Sequence, residues 1–190
     1  VIAIGCGLSA GLDWSEQIIP PILNIDKTMI IDAGALDFLK IGETAFSSSK
    51  IITPHEGEAA RILNINANCI RNDRIKAVKN LADTFNLSVL LKGCGSLIYT
   101  DSKLHLSPYG HNILATAGSG DLLTGIIGGL AAQLNSIEHA SLCALLLQGL
   151  AAENYVKKYG HYGFTASMLL DEVILIMNNI SVSYTHLTLP

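Results

Sequence analysis

Closely spaced cysteines are absent from this chain of 190 residues. Its four cysteines, Cys6, Cys69, Cys94 and Cys143, lie far apart, and no Cys-x-x-Cys sequence occurs. This spacing argues against a zinc site and against a disulfide framework, and it is typical of proteins kept in a reducing compartment. We therefore expect a cytoplasmic protein.

Charge is scarce as well. Charged residues make up 15% of the chain, the net charge is −4, and Lys and Arg form no cluster, so we expect no nucleic-acid partner. No two of the six histidines share a predicted helix at the spacing of metal ligands, so we assign no transition-metal site. Four of them are expected at the surface or in loops: His105, His111, His139 and His161.

Long hydrophobic runs are missing too. The best candidates, residues 122–134 and 142–152, fall short of the roughly 18–20 apolar residues that cross a membrane, and Gln133 and Gln148 lie within them. We therefore expect no membrane span. Residues 122–134 and 137–159 are nevertheless more apolar than a helix with one exposed face requires, which indicates deep burial or a subunit interface. On this ground we expect a homo-oligomer.

An initiator methionine and a signal peptide are also lacking. Residues 1–4 have the pattern of a strand already under way, so we expect the chain to be a piece of a longer protein. The length predicts a single domain, which we place at residues 1–180. Residues 181–190 carry Ser and Thr without a periodic pattern, and we expect them to form a disordered or non-native tail.

Short apolar runs alternate with amphipathic segments along the chain. The runs predict strands at 1–4, 29–31, 50–52 and 88–92, followed by a hairpin of 97–100 and 103–106. The other segments predict helices at 35–39, 72–85, 120–134, 137–159 and 166–177, and one from Trp14 that ends where Pro20 and Pro21 interrupt it. This alternation predicts an α/β fold with a mostly parallel central sheet and helices on both faces.

Two helix starts are predicted from capping residues. Thr53 followed by Pro54, with Glu56 three residues after the Thr, has the pattern of an N-cap, a first helical residue and a capping-box acid. His55 has no role in that pattern. Asp32 closes a strand and is predicted to cap the helix at 35–39.

The segment 116–125, Thr-Ala-Gly-Ser-Gly-Asp-Leu-Leu-Thr-Gly, has the features of an anion site. Gly118 and Gly120 let the backbone approach a ligand closely, and the free N–H groups at the start of the following helix favour a phosphate. Asp121, in the first turn, is either an acid that stabilises the helix or a catalytic base beside that phosphate.

Five marked segments follow strand ends, and ligands of open α/β sheets bind beyond those ends. One crevice is therefore expected to collect residues 5–7, Asp32, 53–58, 92–96 and 118–121. These segments supply backbone amides, a lysine, an imidazole and carboxylates, which phosphoryl transfer uses for positioning and charge neutralisation. No Gly-Lys-Ser/Thr phosphate loop exists, and the Gly-x-Gly at 5–7 lacks the third glycine of a dinucleotide fingerprint.

Four segments form a combination that is specific when taken together. Residues 31–36 are Ile-Asp-Ala-Gly-Ala-Leu, and residues 53–61 are Thr-Pro-His-Glu-Gly-Glu-Ala-Ala-Arg. Residues 91–93 are Leu-Lys-Gly, and residues 114–121 are Leu-Ala-Thr-Ala-Gly-Ser-Gly-Asp. They resemble the Asp-Ala-Asp-Ala-Leu, Thr-Pro-His-x-Gly-Glu-x-x-Arg, strand-Lys-Gly and Leu-Ala-Thr-x-Gly-x-Gly-Asp segments of the carboxyl-terminal, ribokinase-like domain of the ADP/ATP-dependent NAD(P)H-hydrate dehydratases. This resemblance, from Val1 to about Ile176, implies a three-layer α/β/α fold.

That family repairs NADH or NADPH with a hydrated nicotinamide ring, using ADP or ATP so that the ring hydroxyl leaves as phosphate. The resemblance implies that Gly7, His55 and Asp121 contact the hydrated dinucleotide and that Asp121 is the catalytic base. It implies that the adenine nucleotide is held by Lys92, Gly93, Cys94, Gly95, Ser96, Gly118, Ser119 and Gly120. Mg²⁺ is expected to bridge the phosphates with few protein ligands, since it usually keeps its waters.

The chain departs from the family pattern at three marked positions. Cys6 stands where the family usually has Pro, Gly34 where it usually has a second Asp, and Gln148 where His is common. The family's domain also begins earlier, with strands and a glycine-containing substrate segment. We therefore expect this piece by itself to be impaired, and we expect an epimerase, fused or separate, as a functional partner.

Two other functions remain open at this point. A ribokinase-like kinase for a vitamin precursor, such as hydroxymethylpyrimidine, hydroxyethylthiazole or pyridoxal, shares the Gly-x-Gly-Asp anion site, although residues 53–61 argue against it. A non-catalytic nucleotide-binding module is the second alternative, and it would have no turnover to lose when Asp121 is replaced.

Overall fold

The computed structural model describes residues 1–8, 11–42, 46 and 49–185. Six strands form one sheet in chain order: β1 (Ile2–Ile4), β2 (Met29–Ile31), β3 (Lys50–Ile52), β4 (Ser88–Leu91), β5 (Leu97–Thr100) and β6 (Lys103–Leu106). Strands β1 to β4 are parallel, and β5 and β6 add to the edge as an antiparallel hairpin. The predicted mostly parallel sheet and its terminal hairpin are confirmed.

Helices cover both faces of this sheet. They are α1 (Asp13–Leu23), α2 (Glu56–Ile62), α3 (Ala67–Asn72), α4 (Arg74–Phe85), α5 (Ser119–Leu134), α6 (Ile137–Tyr159) and α7 (Leu169–Thr185). Successive residues of a strand point to opposite faces. Ile31 and Ile52 accordingly pack with α1, α2 and α4, whereas Ile30 and Ile51 pack with α5, α6 and α7. The expected three-layer α/β/α, ribokinase-like architecture is confirmed.

The parallel strands are buried along their whole length. No residue of β2, β3 or β4 is exposed, and this explains why their sequences are apolar runs without alternation. Lys50 is the one charged residue in these three strands. Its ammonium group donates to the Leu23 carbonyl at 2.6 Å and lies 4.7 Å from the centre of the Phe46 ring. Burial lowers the pKa of Lys50.

Helix α1 differs from the prediction because it continues through Pro20 and Pro21 to Leu23. A proline inside a helix removes a donor and disfavours the preceding turn. Here Ile19 and Leu23, on either side of the prolines, are almost fully buried against the sheet. This packing outweighs the local preference, so the expected interruption was wrong.

Three other helices need adjustment or comment. The helix predicted at 72–85 is observed as α4, which begins two residues later because Asp73 caps it by accepting a hydrogen bond from Lys76 N at 2.9 Å. Helix α7 runs to Thr185, into the segment expected to be a tail, while 186–190 lie outside the described residues. Helix α6 packs between α5 and α7, so burial accounts for much of its apolar character. Within the described ranges, no helix is long and apolar enough to span a membrane.

We predict that Gly34→Ala destabilises the fold by about 1–3 kcal/mol, the usual cost of inserting an atom where no room exists. A Cβ on Gly34 would lie 2.1 Å from the Leu8 carbonyl oxygen, because the loops after β1 and β2 approach closely there. Gly125→Ala is the matched control. A Cβ at Gly125 meets no atom within 4 Å, and alanine favours a helix interior, so its stability should rise by up to about 1 kcal/mol. Urea unfolding of both variants measures the difference; equal midpoints would contradict the close approach.

Candidate active site

The amino terminus of α5 lies at the centre of the site. Gly118 precedes the helix with a φ of 85°, a left-handed conformation that glycine adopts without strain, and it offers no side-chain cap. The N–H groups of Gly120 and Asp121 donate to no acceptor within the described part of the chain. The Ser119 hydroxyl is buried and lacks a hydrogen-bond partner there as well. These unpaired donors are available to an anionic ligand.

A cavity of about 660 Å³ adjoins this helix start on the side of the β5–β6 hairpin. Seven of the predicted nucleotide-binding residues line it, namely Lys92, Gly93, Cys94, Gly95, Ser96, Ser119 and Gly120. Gly118 is not among the lining residues, because it faces Ala166 instead. The volume lies in the range of pockets that hold small molecules. The structure therefore brings the turn after β4 and the start of α5 together around one space.

Several lining residues were not assigned to the site from the sequence. They come from the loop between β6 and the short 3₁₀ helix Asn112–Ala115 and from the middle of α6: Tyr109, Gly110, His111, Asn112, Gln148 and Gly149. Gln148 donates to the Ser119 carbonyl at 2.7 Å and so ties α6 to the start of α5. A turn of Pro, Tyr and Gly just before the glycine-rich segment was the available signal for the loop. Gln148 was singled out only as a departure from the family pattern, and no local pattern predicts its contact with α5.

An ion pair between Asp32 and Lys92 lies beneath the helix start. The Lys92 ammonium donates to Asp32 Oδ1 at 2.8 Å, and the Thr124 hydroxyl donates to Oδ2 at 2.8 Å. Burial by itself would raise the pKa of Asp32, but the charge and hydrogen bond of Lys92, with the hydrogen bonds of Thr124 and Thr53, lower it. Asp32 is therefore ionised at neutral pH. Its side chain makes no capping hydrogen bond to the following 3₁₀ helix, so capping does not explain this residue.

His55 is the residue that caps α2. Its Nδ1 accepts from Gly57 N at 3.0 Å and Glu58 N at 3.3 Å, and Glu58 Oε2 accepts from His55 N at 2.7 Å. This reciprocal pair is a capping box in which an imidazole nitrogen replaces the usual hydroxyl. The predicted cap at Thr53 was wrong, because Thr53 continues the line of β3 and its hydroxyl bonds the Ile31 carbonyl at 3.4 Å.

The capping box also determines which ring nitrogen of the neutral His55 side chain carries the proton. Since Nδ1 is an acceptor, the neutral ring carries its proton on Nε2, which is 3.6 Å from Glu58 Oε1. The side chain remains 60% exposed, so this N–H can reach a ligand. Glu58 Oε2 in turn lies 3.8 Å from the Lys92 ammonium, which links the capping box to the buried ion pair.

Asp121 points to the side of α5 away from the cavity. Its carboxylate, that of Asp32 and the Cys6 thiol have ligand atoms within 4.8 Å of one another. Burial, followed by the hydrogen bond and charge of Asp121 and the charge of Asp32, raises the pKa of Cys6 to about 12. The thiol is thus protonated at neutral pH and serves Asp121 as a weak donor. Gly7, with a φ of 73°, follows Cys6 in this loop.

These three side chains fit Mg²⁺ only in part. Carboxylate oxygens are ligands that Mg²⁺ prefers, but a thiol is not, and both oxygens of Asp32 already accept hydrogen bonds from Lys92 and Thr124. The exposed carboxylate of Asp121 is the one group here that can bind a cation without breaking a buried contact. That Mg²⁺ is held mainly by phosphates and water stays a prediction.

We predict that Lys92→Met lowers the free energy of unfolding by about 3–5 kcal/mol at neutral pH, because it leaves the buried Asp32 carboxylate without its cation. Because the pKa of Asp32 is lowered in the folded protein, the native pair contributes stability at pH values above 3.8, the ordinary pKa of this group. This stability is lost as the pH falls below that value. In Lys92→Met, burial instead raises the pKa of Asp32, so the variant should gain stability as the solution is acidified towards 3.8.

Urea unfolding of Lys92→Met at neutral and mildly acidic pH tests this prediction. Lys79→Met, which removes an exposed lysine of α4, should change stability little. The double variant Lys92→Met/Asp32→Asn should recover part of the loss, because the buried charge is gone. A single variant as stable as the control would show that the pair is not needed.

Comparison with known proteins gives one consistent family. The sequence profile described as NAD(P)H-hydrate dehydratase matches residues 1–175. The bifunctional NAD(P)H-hydrate repair enzyme Nnr of Coxiella burnetii is 34% identical over 179 residues, which are 94% of this chain and 36% of that protein. The ADP-dependent (S)-NAD(P)H-hydrate dehydratase of Neisseria meningitidis is 34% identical over 90% of this chain and 59% of its own length. The chain thus spans about a third of the bifunctional relatives.

Solved structures give the same result. The ADP/ATP-dependent NAD(P)H-hydrate dehydratase of Bacillus subtilis, co-crystallised with ATP and Mg²⁺, superposes with a TM-score of 0.84 at 30% identity and covers 93% of this chain and 63% of that one. A hydroxyethylthiazole kinase from Pyrococcus horikoshii reaches a TM-score of 0.67 at 19% identity, a likeness of fold alone. With the profile match over almost its whole length, this chain belongs to the NAD(P)H-hydrate dehydratase family.

Proposed function

We propose that the protein containing this chain dehydrates hydrated NADH and NADPH at the expense of ADP or ATP. The observation that carries the proposal is the arrangement around the start of α5. The cavity beside Lys92 and Ser119 lies on one side of it, and the carboxylate of Asp121 lies on the other. A nucleotide in the cavity and a hydrated nicotinamide beside Asp121 would meet at the free amides of the first turn.

The proposed reaction begins with Asp121. Its carboxylate takes the proton of the ring hydroxyl while the hydroxyl oxygen attacks the terminal phosphoryl group of the nucleotide. The N–H groups of Gly120 and Asp121 and the Ser119 hydroxyl stabilise the charge on the transferred group. The nucleotide leaves with one phosphate fewer, the phosphorylated ring expels phosphate, and the adjacent ring carbon gives up a proton to solvent, which restores the double bond of the dihydronicotinamide. Mg²⁺, when bound, would neutralise charge on the phosphates.

The remaining predicted residues bind the two substrates. Residues 92–96 hold the adenine nucleotide along the cavity wall, and Gly118 shapes the turn that exposes the amides. Gly7 and His55 contact the hydrated dinucleotide, His55 through its Nε2–H. The Asp32–Lys92 pair holds the floor of both sites. Lys92 lies between the two, since it lines the cavity and pairs with Asp32, whose carboxylate lies close to that of Asp121.

We predict that Asp121→Asn lowers kcat for dehydration by about 10²–10⁴-fold, the usual contribution of a positioned general base, while nucleotide affinity changes little. The assay incubates the full-length protein with hydrated NADH, Mg²⁺ and ADP or ATP and follows the return of dihydronicotinamide absorbance. Asp101→Asn, in the turn between β5 and β6, is the control and should retain full activity.

Other results would replace this proposal. Nucleotide consumption only with a vitamin alcohol, such as hydroxyethylthiazole, would identify a kinase. Nucleotide binding without turnover of either substrate would identify a binding module. The comparison of ADP with ATP in the same assay assigns the phosphoryl donor.

We also propose that the protein forms a homo-oligomer in the cytoplasm and works with an NAD(P)HX epimerase. Exposed apolar side chains on α7, including Leu170, Ile174 and Leu175, support an intersubunit contact, and the four free cysteines support a reducing compartment. The resemblance to bifunctional repair enzymes supports the epimerase. Light scattering should give more than one protomer at micromolar concentration; a monomer would contradict the oligomer.

A further inference from the structure

Arg74, the first residue of α4, lies directly behind the cavity-lining turn 92–96. Its Nη1 donates to the carbonyls of Cys94 at 2.5 Å and Gly95 at 2.9 Å. Its Nη2 donates to the carbonyls of Leu91 and Lys92, each at 3.4 Å. One guanidinium group therefore binds four backbone carbonyls within the five residues 91–95.

Gly93 in this turn makes room for the guanidinium. Gly93 has a φ of 150°, and a Cβ there would lie 2.8 Å from Arg74 Nη2. Glu56 forms an ion pair with this guanidinium, since its Oε1 lies 3.4 Å from Arg74 Nε, although the Nε–H makes no hydrogen bond within the described residues. The second oxygen of Glu56 accepts from the exposed Arg71 at 3.2 Å. Arg74, with 18% of its side chain exposed, is thus fixed between α2 and the turn.

The orientation of the carbonyls determines where the amides of the turn point. In a planar trans peptide the C=O of one residue and the N–H of the next point in opposite directions. Because the carbonyls of Cys94 and Gly95 point to Arg74, the N–H groups of Gly95 and Ser96 point away from it. Neither N–H donates to an acceptor among the described residues, and both residues line the cavity.

We propose that Arg74 is a positioning residue for nucleotide binding. It fixes the two peptide planes that present the N–H groups of Gly95 and Ser96 to acceptor atoms of the adenine nucleotide. This inference rests on the proposed nucleotide site. It adds a residue that touches neither substrate and acts through the turn.

Direct binding measurements on three variants of the full-length protein test the inference. Titration with ADP and Mg²⁺ should show about tenfold to hundredfold weaker binding for Arg74→Met, the effect of two lost hydrogen bonds. Arg74→Lys should weaken binding similarly, because one ammonium group cannot span the four carbonyls in place of the planar fork. Arg71→Met, which also removes a partner of Glu56 but contacts no part of the turn, should bind ADP as the unmodified protein does.

Kinetics separate positioning from a general loss of structure. In both Arg74 variants the KM for the nucleotide should rise, while the KM for hydrated NADH and the kcat at saturation stay within about twofold of the unmodified protein. If Arg74→Met does not fold, as judged by circular dichroism, Arg74→Lys carries the test. Unchanged ADP affinity in the folded variants, or an equal rise in both KM values, would overturn the inference. Absence of ADP binding by the unmodified protein would instead overturn the proposed nucleotide site.

Discussion

The buried ion pair between Asp32 and Lys92 is the contact on which the site depends. It joins the end of β2 to the end of β4, across the intervening strand β3. Thr124 of α5 hydrogen-bonds the same carboxylate, so the helix that carries Asp121 is tied to both strands. A buried charge is costly unless it is paired and hydrogen-bonded, and here both oxygens of Asp32 are satisfied. The pair thereby fixes the floor that the two proposed substrates share.

From this floor the polar contacts extend in two directions. Glu58 lies between the Lys92 ammonium and the capping box of His55, which connects the start of α2 to the ion pair. In the other direction Lys92 begins the turn that Arg74 binds from behind. Backbone amides are therefore presented to the cavity from two elements, α5 and the turn after β4. Arg74 holds the turn from behind, and Thr124 and Gln148 hold the start of α5.

Much of the fold was predictable because local patterns encode it. The buried strands are apolar runs. Helix α4 has the apolar spacing of an amphipathic helix, and α6 is a long apolar segment. The glycine-rich segments marked seven of the twenty residues that line the cavity. The errors arose where the conformation in the folded protein differs from the one that the local sequence pattern favours. Burial of Ile19 and Leu23 carried α1 through two prolines, and the extended backbone after β3 moved the cap of α2 from Thr53 to His55.

The sequence by itself determined the order of elements, the family and the polar residues that gather at one edge of the sheet. Only the tertiary structure decided the partner of each polar group. Asp32 and Lys92 are 60 residues apart, and Asp32 and Thr124 are 92 residues apart, so no local spacing could pair them. Arg74 was unmarked for the same reason: its role depends on the direction of four carbonyls in a distant turn. Secondary structure follows from neighbours along the chain, whereas the geometry of the site follows from packing.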